Sequence, residues 1–341
     1  MSYDPAATRP IGRHGLAVSQ LGLGTAPFGA VDGNTTGAGT TRAFVAAHEA
    51  GLRYFDTAPF YGFGLAERRL GAALETVDRR ELTLSTKVGR ILEPQGDRVS
   101  PGPSGGERPF TFVYDYSHDG ALRSLDMSLA RLGTNRIDIV LLHDVNRRWQ
   151  GDAVEARYKE AMAGAYRALS DLRAQGVIRA IGVGVNDWEI LLRFAADGDF
   201  DCFMLAGRYT LLDHTAGARF MPECKRRGIA VLMAAPFNSG ILATGPVSGA
   251  TYFYQDADAD IVARTKRIVA VCERHGVALP AAALQFPLAN EAVASVVTGM
   301  PAAAEVAANV AHMRAPIPPD FWRELVHEKL IDPGVPVAQR E

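Results

Sequence analysis

The chain is poor in cysteine: its 341 residues include only Cys202, Cys224 and Cys272. Three thiols so spaced form no disulfide framework and match no metal-ligand pattern, which argues against a stapled secreted scaffold and a metal centre. A reducing, cytoplasmic setting is expected. An excess of one charge is also missing. Lys and Arg total 36 and Asp and Glu 38, for a net charge of −2. That balance gives no electrostatic case for nucleic acid or a membrane surface as partner. No apolar run reaches about 18 residues, the length that would span a bilayer as a helix. The opening "MSYDPAATRP" lacks the apolar stretch of a secretory signal. No G-x-G-x-x-G joins a strand to a helix, and the lone "GLGTAPFG" is a weak phosphate signal.

What is present is a rhythm. Short β-rich apolar runs alternate with longer helical ones. "SQLGLGT", "LRYFDT", "ELTLSTK", "RIDIVLLH", "IRAIGVGVN", "DCFMLAG", "IAVLMAAP" and "VASVVTG" are each followed by a helix-patterned segment. One of these, 156–176, reads as a single long helix. Several helices run into glycine (Gly51, Gly133, Gly176, Gly228, Gly276), as a left-handed C-terminal cap prefers. Strands alternating with helices predict a parallel sheet covered by helices. Eight units in about 300 residues fit a closed (β/α)8 TIM barrel better than an open doubly wound sheet. No Gly/Ser-rich linker divides the chain, so residues 1–341 read as one domain. "RPIGRHGLAVSQLG" reads as a hairpin closing the bottom of the barrel. Residues 89–117, rich in Pro, Gly and Ser, break the rhythm after the third strand and read as a long loop or lid.

Barrel chemistry sits where strands hand over to loops. The second strand ends in Asp56, with Tyr61 in its loop. The third ends in Lys87, the fourth in His143 followed by Asp144, and the fifth in Asn186. Each has a bland reading: a turn cap, a packing aromatic, a snorkelling lysine, a satisfied core histidine. Together they are costly polar groups converging on one mouth, which points to use. Free phenol has a pKa near ~10, too high for acid–base work at neutral pH. A nearby ammonium is expected to lower it, and a carboxylate to anchor that ammonium. Lys87 would thus tune Tyr61, Asp56 would hold Lys87, and His143 would direct a carbonyl or hydroxyl oxygen. Such a site moves protons and needs a hydride partner.

These motifs resemble the aldo-keto reductase superfamily from about Arg9 to Met313. "FDTAPFYGFGLAERRLGAAL", "LSTKVG" and "SLARLGTNRIDIVLLHD" carry the resemblance. It implies a catalytic tetrad of Asp56, Tyr61, Lys87 and His143. "APFNSGIL", "VYDYSHDG" and "LLHDVN" are similar to the branch that oxidises aldoses such as L-fucose or D-arabinose at C1, with pyridoxal 4-dehydrogenase a near relative. The resemblance therefore implies oxidation of a cyclic hemiacetal to a lactone, or more generally aldehyde and ketone reduction. The substrate would meet Tyr61, His143, Phe60, Trp149 and the 89–117 loop.

The resemblance also implies a nicotinamide cofactor. Gly24 and Thr25 would flank the nicotinamide, and Asn186 would bind its carboxamide. Pro236, Phe237, Asn238, Gly240 and Ile241 would wrap the pyrophosphate through their backbone. The family's glutamine and stacking aromatic are replaced by Ala206 and Ala234, with Tyr209 and Phe237 as the nearby aromatic candidates. NADP-using members carry a Lys and an Arg after the eighth strand. Aligned on Asn309, this chain has Gly299, Met300 and Glu305 there, which implies NAD. Two other classes compete. One is a Schiff-base lyase with Lys87 as nucleophile. The other is a cofactor-holding regulatory subunit with slow turnover.

Overall fold

The eight predicted strands are the eight strands of one closed barrel. The computed structural model describes residues 2–12, 15–102 and 105–338. In chain order the barrel strands are Leu21–Gly24, Tyr54–Asp56, Thr83–Val88, Ile139–His143, Ala180–Val185, Cys202–Ala206, Ala230–Ala234 and Val293–Gly299. Each pairs in parallel with its sequence neighbours, and the eighth closes on the first. At that closure Gly24 lies opposite Gly299 on one side and Asp56 on the other. Strands buried on both faces need continuous apolar sequence, which "IVLLH" and "AVLMA" supply.

The hairpin plugs the bottom. Thr8–Ile11 pairs antiparallel with Leu16–Ser19, and the turn residues Arg13 and His14 lie outside the described residues. Ile11, Leu16 and Val18 pack inside the barrel with Tyr54, Ile139, Leu141 and Leu232. The Arg9 guanidinium donates to the carbonyls of Val293 (2.5 Å) and Leu288 (3.0 Å), which ties the hairpin to the N-terminal end of the eighth strand. These apolar side chains fill that end, and the cavity lies at the other.

Two expectations need correction. The 156–176 stretch is two helices, Val154–Ala163 and Ala165–Ala174, broken at Gly164. A Cβ on Gly164 would stand 2.7 Å from the Tyr116 carbonyl oxygen and the His118 nitrogen, so the chain must bend where it meets that backbone. Ala165 N–H then donates to the Tyr116 carbonyl at 2.8 Å. The 89–117 segment is an ordered β-arm, although Pro103 and Ser104 lie outside the described residues. Arg90–Pro94 pairs antiparallel with Phe110–Tyr114. "RILEP" and "FTFVY" carry enough β-branched and aromatic residues to pair, but the prolines and glycines between them hide the pattern.

Helices cap this frame. Serine, threonine and aspartate caps open several of them: Thr36, Ser117, Asp187 and Asp258 each accept a backbone N–H from the first turn. Helices Leu279–Gln285 and Pro319–His327 are extra to the eight-unit rhythm.

Gly164→Ala should destabilise the protein by about 1–3 kcal/mol, because the new methyl meets backbone that cannot swing aside. A denaturant titration measures this. An unchanged midpoint would mean that the 116–118 backbone yields freely.

Candidate active site

The C-terminal ends of the strands open into a cavity of ≈480 Å³. Asp56, Phe60, Tyr61, Lys87, His143, Trp149, Asn186, Gly24 and Gly299 all line it. The expected polar residues of strands two to five therefore meet in one space.

The lowest layer is ionic. Lys87 is 2% exposed, and its Nζ donates to Asp56 Oδ1 (2.9 Å), Asp56 Oδ2 (2.7 Å) and the Thr57 carbonyl (2.9 Å). The Tyr61 phenol is also within hydrogen-bonding reach of this ammonium. Ser85 Oγ donates to Asp56 Oδ1 at 2.7 Å and lies 3.0 Å from the Tyr54 hydroxyl. Burial pulls the Lys87 ammonium down, but the Asp56 and Tyr61 charges outweigh it, and the net shift is upward. That is the wrong state for a nucleophilic amine, which counts against Schiff-base chemistry.

Tyr61 sits above this layer, its ring centroid 4.8 Å from Lys87 Nζ. The Pro59–Gly64 turn that carries it is pressed onto the Ala26–Gly29 turn. A Cβ on Gly62, at φ +59°, would fall 2.3 Å from the Gly29 carbonyl oxygen. The phenol is not depressed as expected. Burial pushes it up to about 12, with the Lys87 charge pulling back and the Asp56 charge adding to the rise. Desolvation of a phenolate outweighs one ammonium whose charge is already shared with a carboxylate.

The His143 ring stands 6.1 Å from the Tyr61 ring at 89°. Burial lowers its pKa well below the usual value, and the Arg90 and Lys87 charges add to that, so the imidazole is neutral. Its main-chain carbonyl accepts from the Tyr116 hydroxyl at 2.5 Å.

Three polar or aromatic residues without an assigned role in the sequence also line the wall. Asp144, Arg148 and Tyr254 line the cavity. Behind Asp144 stands Arg90, 1% exposed and ion-paired to it at 2.8 Å. The Arg90 guanidinium lies 3.9 Å from the Phe60 ring centroid, 4.5 Å from Trp149, 5.1 Å from Phe112 and 5.4 Å from Tyr114. No residue of the 89–117 arm lines the cavity among the described residues. The arm backs the wall instead of covering it. The cover comes from the segment after the seventh strand, where Tyr254 N–H donates to Ser239 Oγ at 2.9 Å and Arg148 lies against the Phe253 ring.

The residues expected to hold a cofactor divide. Asn186 Oδ1 accepts from Asn146 Nδ2 at 3.0 Å, which leaves the Asn186 NH2 group free to donate into the cavity. Gly184, Ala206, Ala234 and Gly299 keep that side of the floor flat. A planar carboxamide-bearing ring fits this donor set. Thr25, Pro236, Phe237, Asn238, Gly240, Ile241, Met300, Glu305 and Asn309 are not in the cavity wall. Met300 and Ile241 are core residues, and the Asn238 amide is spent on Thr210 and Gly207. Tyr209 is fully buried and bonded to Asn290, Phe237 packs on the core, and neither lines the cavity. Tyr254 lines the cavity near Asp144 and Arg148.

Residues 20–328 match the family model described as the Aldo/keto reductase family. The chain is 41% identical to pyridoxal 4-dehydrogenase of Microbacterium luteolum, over 97% of this chain and 100% of that protein. It is 38% identical to D-threo-aldose 1-dehydrogenase of a Pseudomonas species, over 97% and 98%. Among solved structures, the holo form of an aldo-keto reductase from Bacillus halodurans superposes with a TM-score of 0.73 at 25% identity, covering 98% of this chain and 100% of that one.

Asp56→Asn should cost about 3–5 kcal/mol of stability, because the Lys87 ammonium would be buried without its counter-charge. Ser85→Ala should cost about 1 kcal/mol, one hydrogen bond's worth. Equilibrium unfolding of both variants measures the contrast, and equal small losses would remove the ion pair as the anchor of this layer.

Proposed function

The chain belongs to the aldo/keto reductase family, and we propose that within it the chain is a hemiacetal dehydrogenase that oxidises an aldose at C1 to the lactone with NAD. The observation that carries this reading is the convergence of a phenol, an ion-paired ammonium and a neutral imidazole in one cavity. The family's enzymes use nicotinamide cofactors. Here Asn186 would hold the carboxamide, over a floor of Gly24, Ala206, Ala234 and Gly299. The nicotinamide, when bound, supplies the two-electron acceptor.

The remaining work falls to the chain's own side chains. Tyr61 takes the proton of the C1 hydroxyl. Lys87 stabilises the phenolate that this needs, and Asp56 holds Lys87. His143, being neutral, donates a hydrogen bond to the reacting oxygen without adding charge. Phe60 and Trp149 give the ring an apolar wall. A second reading is oxidation of pyridoxal, favoured by the 41% identity to a pyridoxal 4-dehydrogenase. NAD rather than NADP fits the absence of a cation where Gly299, Met300 and Glu305 stand. Glu305 is exposed in the first turn of Ala303–Arg314, and among the described residues its carboxylate accepts only the Ala302 N–H, at 3.3 Å.

Following reduced-nicotinamide absorbance with L-fucose, D-arabinose, L-galactose, L-xylose and pyridoxal tests the reading. Turnover of none of them, with tight cofactor binding, would favour the regulatory-subunit alternative.

Tyr61→Phe should lower kcat by ~10²–10⁴-fold while cofactor Kd holds, since acid–base catalysis contributes about that much. A loss below about threefold removes Tyr61 from the chemistry.

A base whose pKa is raised to about 12 is deprotonated in a fraction that grows with pH. Oxidation should therefore accelerate from neutral into alkaline pH, while reduction, which needs the phenol, should not. Lys87→Met removes the charge that pulls the phenol down and should push the oxidation limb to still higher pH. A profile unmoved by that substitution would uncouple the two residues.

Wild type should prefer NAD over NADP by at least about 10-fold in kcat/KM, roughly 1.4 kcal/mol. Glu305→Arg should narrow the ratio. A wild-type preference for NADP would mean that a cation from elsewhere reaches the 2′-phosphate.

A further inference from the structure

Asp144 is an acid that the proposed chemistry leaves unused. It is 8% exposed, yet it lines the cavity. Its backbone is left-handed, φ +56°, an uncommon state for a residue other than glycine. Both of its main-chain groups are fixed. Its N–H donates to the Gly184 carbonyl at 3.0 Å, and its carbonyl accepts from Gln150 Nε2 at 3.0 Å. The side chain is therefore delivered into the cavity by a frame that cannot easily turn.

The carboxylate is underused. An ionised carboxylate accepts up to about four hydrogen bonds. Here Oδ2 has the Arg90 ion pair at 2.8 Å and His143 Nε2 at 3.4 Å. Oδ1 accepts no hydrogen bond from the described residues. A desolvated carboxylate with spare lone pairs is costly unless something else fills them. Arg90 cannot serve a ligand itself, because it is sealed behind Phe60, Trp149, Phe112 and Tyr114. What this corner offers a ligand is thus an acceptor. It suits a hydroxyl and repels a phosphate or carboxylate.

The position narrows the choice. The reacting oxygen must lie within reach of both Tyr61 and His143. Asp144 Oδ2 is 3.4 Å from His143 Nε2, so a group beside the reacting oxygen comes within reach of the carboxylate. We propose that Asp144 is the specificity-determining residue of this site, its carboxylate accepting the hydroxyl on the carbon next to the reacting carbon. The site then selects 2-hydroxylated aldoses over 2-deoxy ones. This rests on the hemiacetal-oxidation reading. A site built to pair a substrate hydroxyl discriminates strongly against the analogue that lacks it, because its own polar group is left unpaired.

The pair of probes is D-arabinose and 2-deoxy-D-ribose, which is D-arabinose without its C2 hydroxyl. The readout is the ratio of their kcat/KM values in wild type, Asp144→Asn and Asp144→Ala. Hydrogen bonds to charged groups are worth roughly 10–150-fold, so the wild-type ratio should be at least about 10. The Ala variant should lose at least about 10-fold more on D-arabinose than on 2-deoxy-D-ribose, and the isosteric Asn variant should keep part of the preference.

A second arm uses pH on wild type. Asp144 faces Arg90 from the arm, Lys87 from the third strand, Arg148 from the following helix, His143 on its own strand, and the Tyr116 and Tyr254 phenols. Burial pushes the carboxyl up to about 6 against the pull of the three cations. The carboxylate acceptor is present above that pH and lost below it. The ratio should fall as pH drops through about 6 and stay flat in Asp144→Asn, because titrations common to both sugars cancel in a ratio.

Equal losses on both sugars would make Asp144 a support for His143 and overturn the proposal, as would an unchanged ratio. Should wild type oxidise L-fucose but not D-arabinose, L-fucose and its 2-deoxy analogue take their place; no oxidation of any of L-fucose, D-arabinose, L-galactose and L-xylose, with NAD bound, would overturn the hemiacetal reading and this inference with it. Turnover of D-arabinose with an unchanged ratio overturns this inference alone.

Discussion

The site depends on one buried ion pair. Lys87 and Asp56 are 2% and 3% exposed and meet at 2.7 Å. A lone buried charge would neutralise itself by shifting its pKa, and the cavity would lose its fixed positive end. As a pair, stapled by Ser85 and the Thr57 carbonyl, it holds a permanent charge beneath the Tyr61 ring. The barrel makes the pair possible. Asp56 is the last residue and Lys87 the last but one of adjacent parallel strands, with Ser85 directly opposite Asp56 in the register. A slip of either strand by one residue would turn one partner out of the barrel.

A second ion pair repeats the design with different packing. Arg90 and Asp144 are also buried, but the cation there is surrounded by aromatic faces. Those faces offset part of its desolvation, since a guanidinium over a ring is attracted by the ring's quadrupole. The arm that carries Arg90, Phe112 and Tyr114 therefore acts on the cavity from behind. It sets the wall formed by Phe60 and Trp149 without touching what the cavity would hold. An ordered ribbon does that work better than a mobile lid.

Much of this was legible in the sequence, and the limit is physical. The eight strands were readable because both faces of a parallel strand must be apolar. Asp56, Lys87 and His143 were readable because each ends such a run. Tyr61 followed from its fixed distance after Asp56. Arg90 gave no such signal: its partners Asp144, Trp149 and Phe112 are distant in sequence, and only the folded arm joins them. The break at Gly164 was hidden because helical periodicity continues through it, and its cause is the backbone of 116–118. The Tyr61 shift was misjudged because sequence can name the neighbouring ammonium but cannot weigh it against burial.

The mouth of the barrel is divided. Strands two to four end in groups that carry charge or move protons: Asp56, Lys87, His143 and then Asp144. Strands five to eight bring Gly184, Ala206, Ala234 and Gly299 to the same cavity. Two such halves do different physical work. The polar half must be rigid, because a proton acceptor misplaced by an ångström loses much of its effect. Buried ion pairs and main-chain bonds to Asp144 and His143 give it that rigidity. The small-residue half must be flat and unobstructed, so that a planar ring can lie against backbone at the strand ends. A bulky side chain at Ala206 or Ala234 would fill that floor. Tyr254, from the segment after the seventh strand, lines the cavity near Asp144 and Arg148, on the polar side.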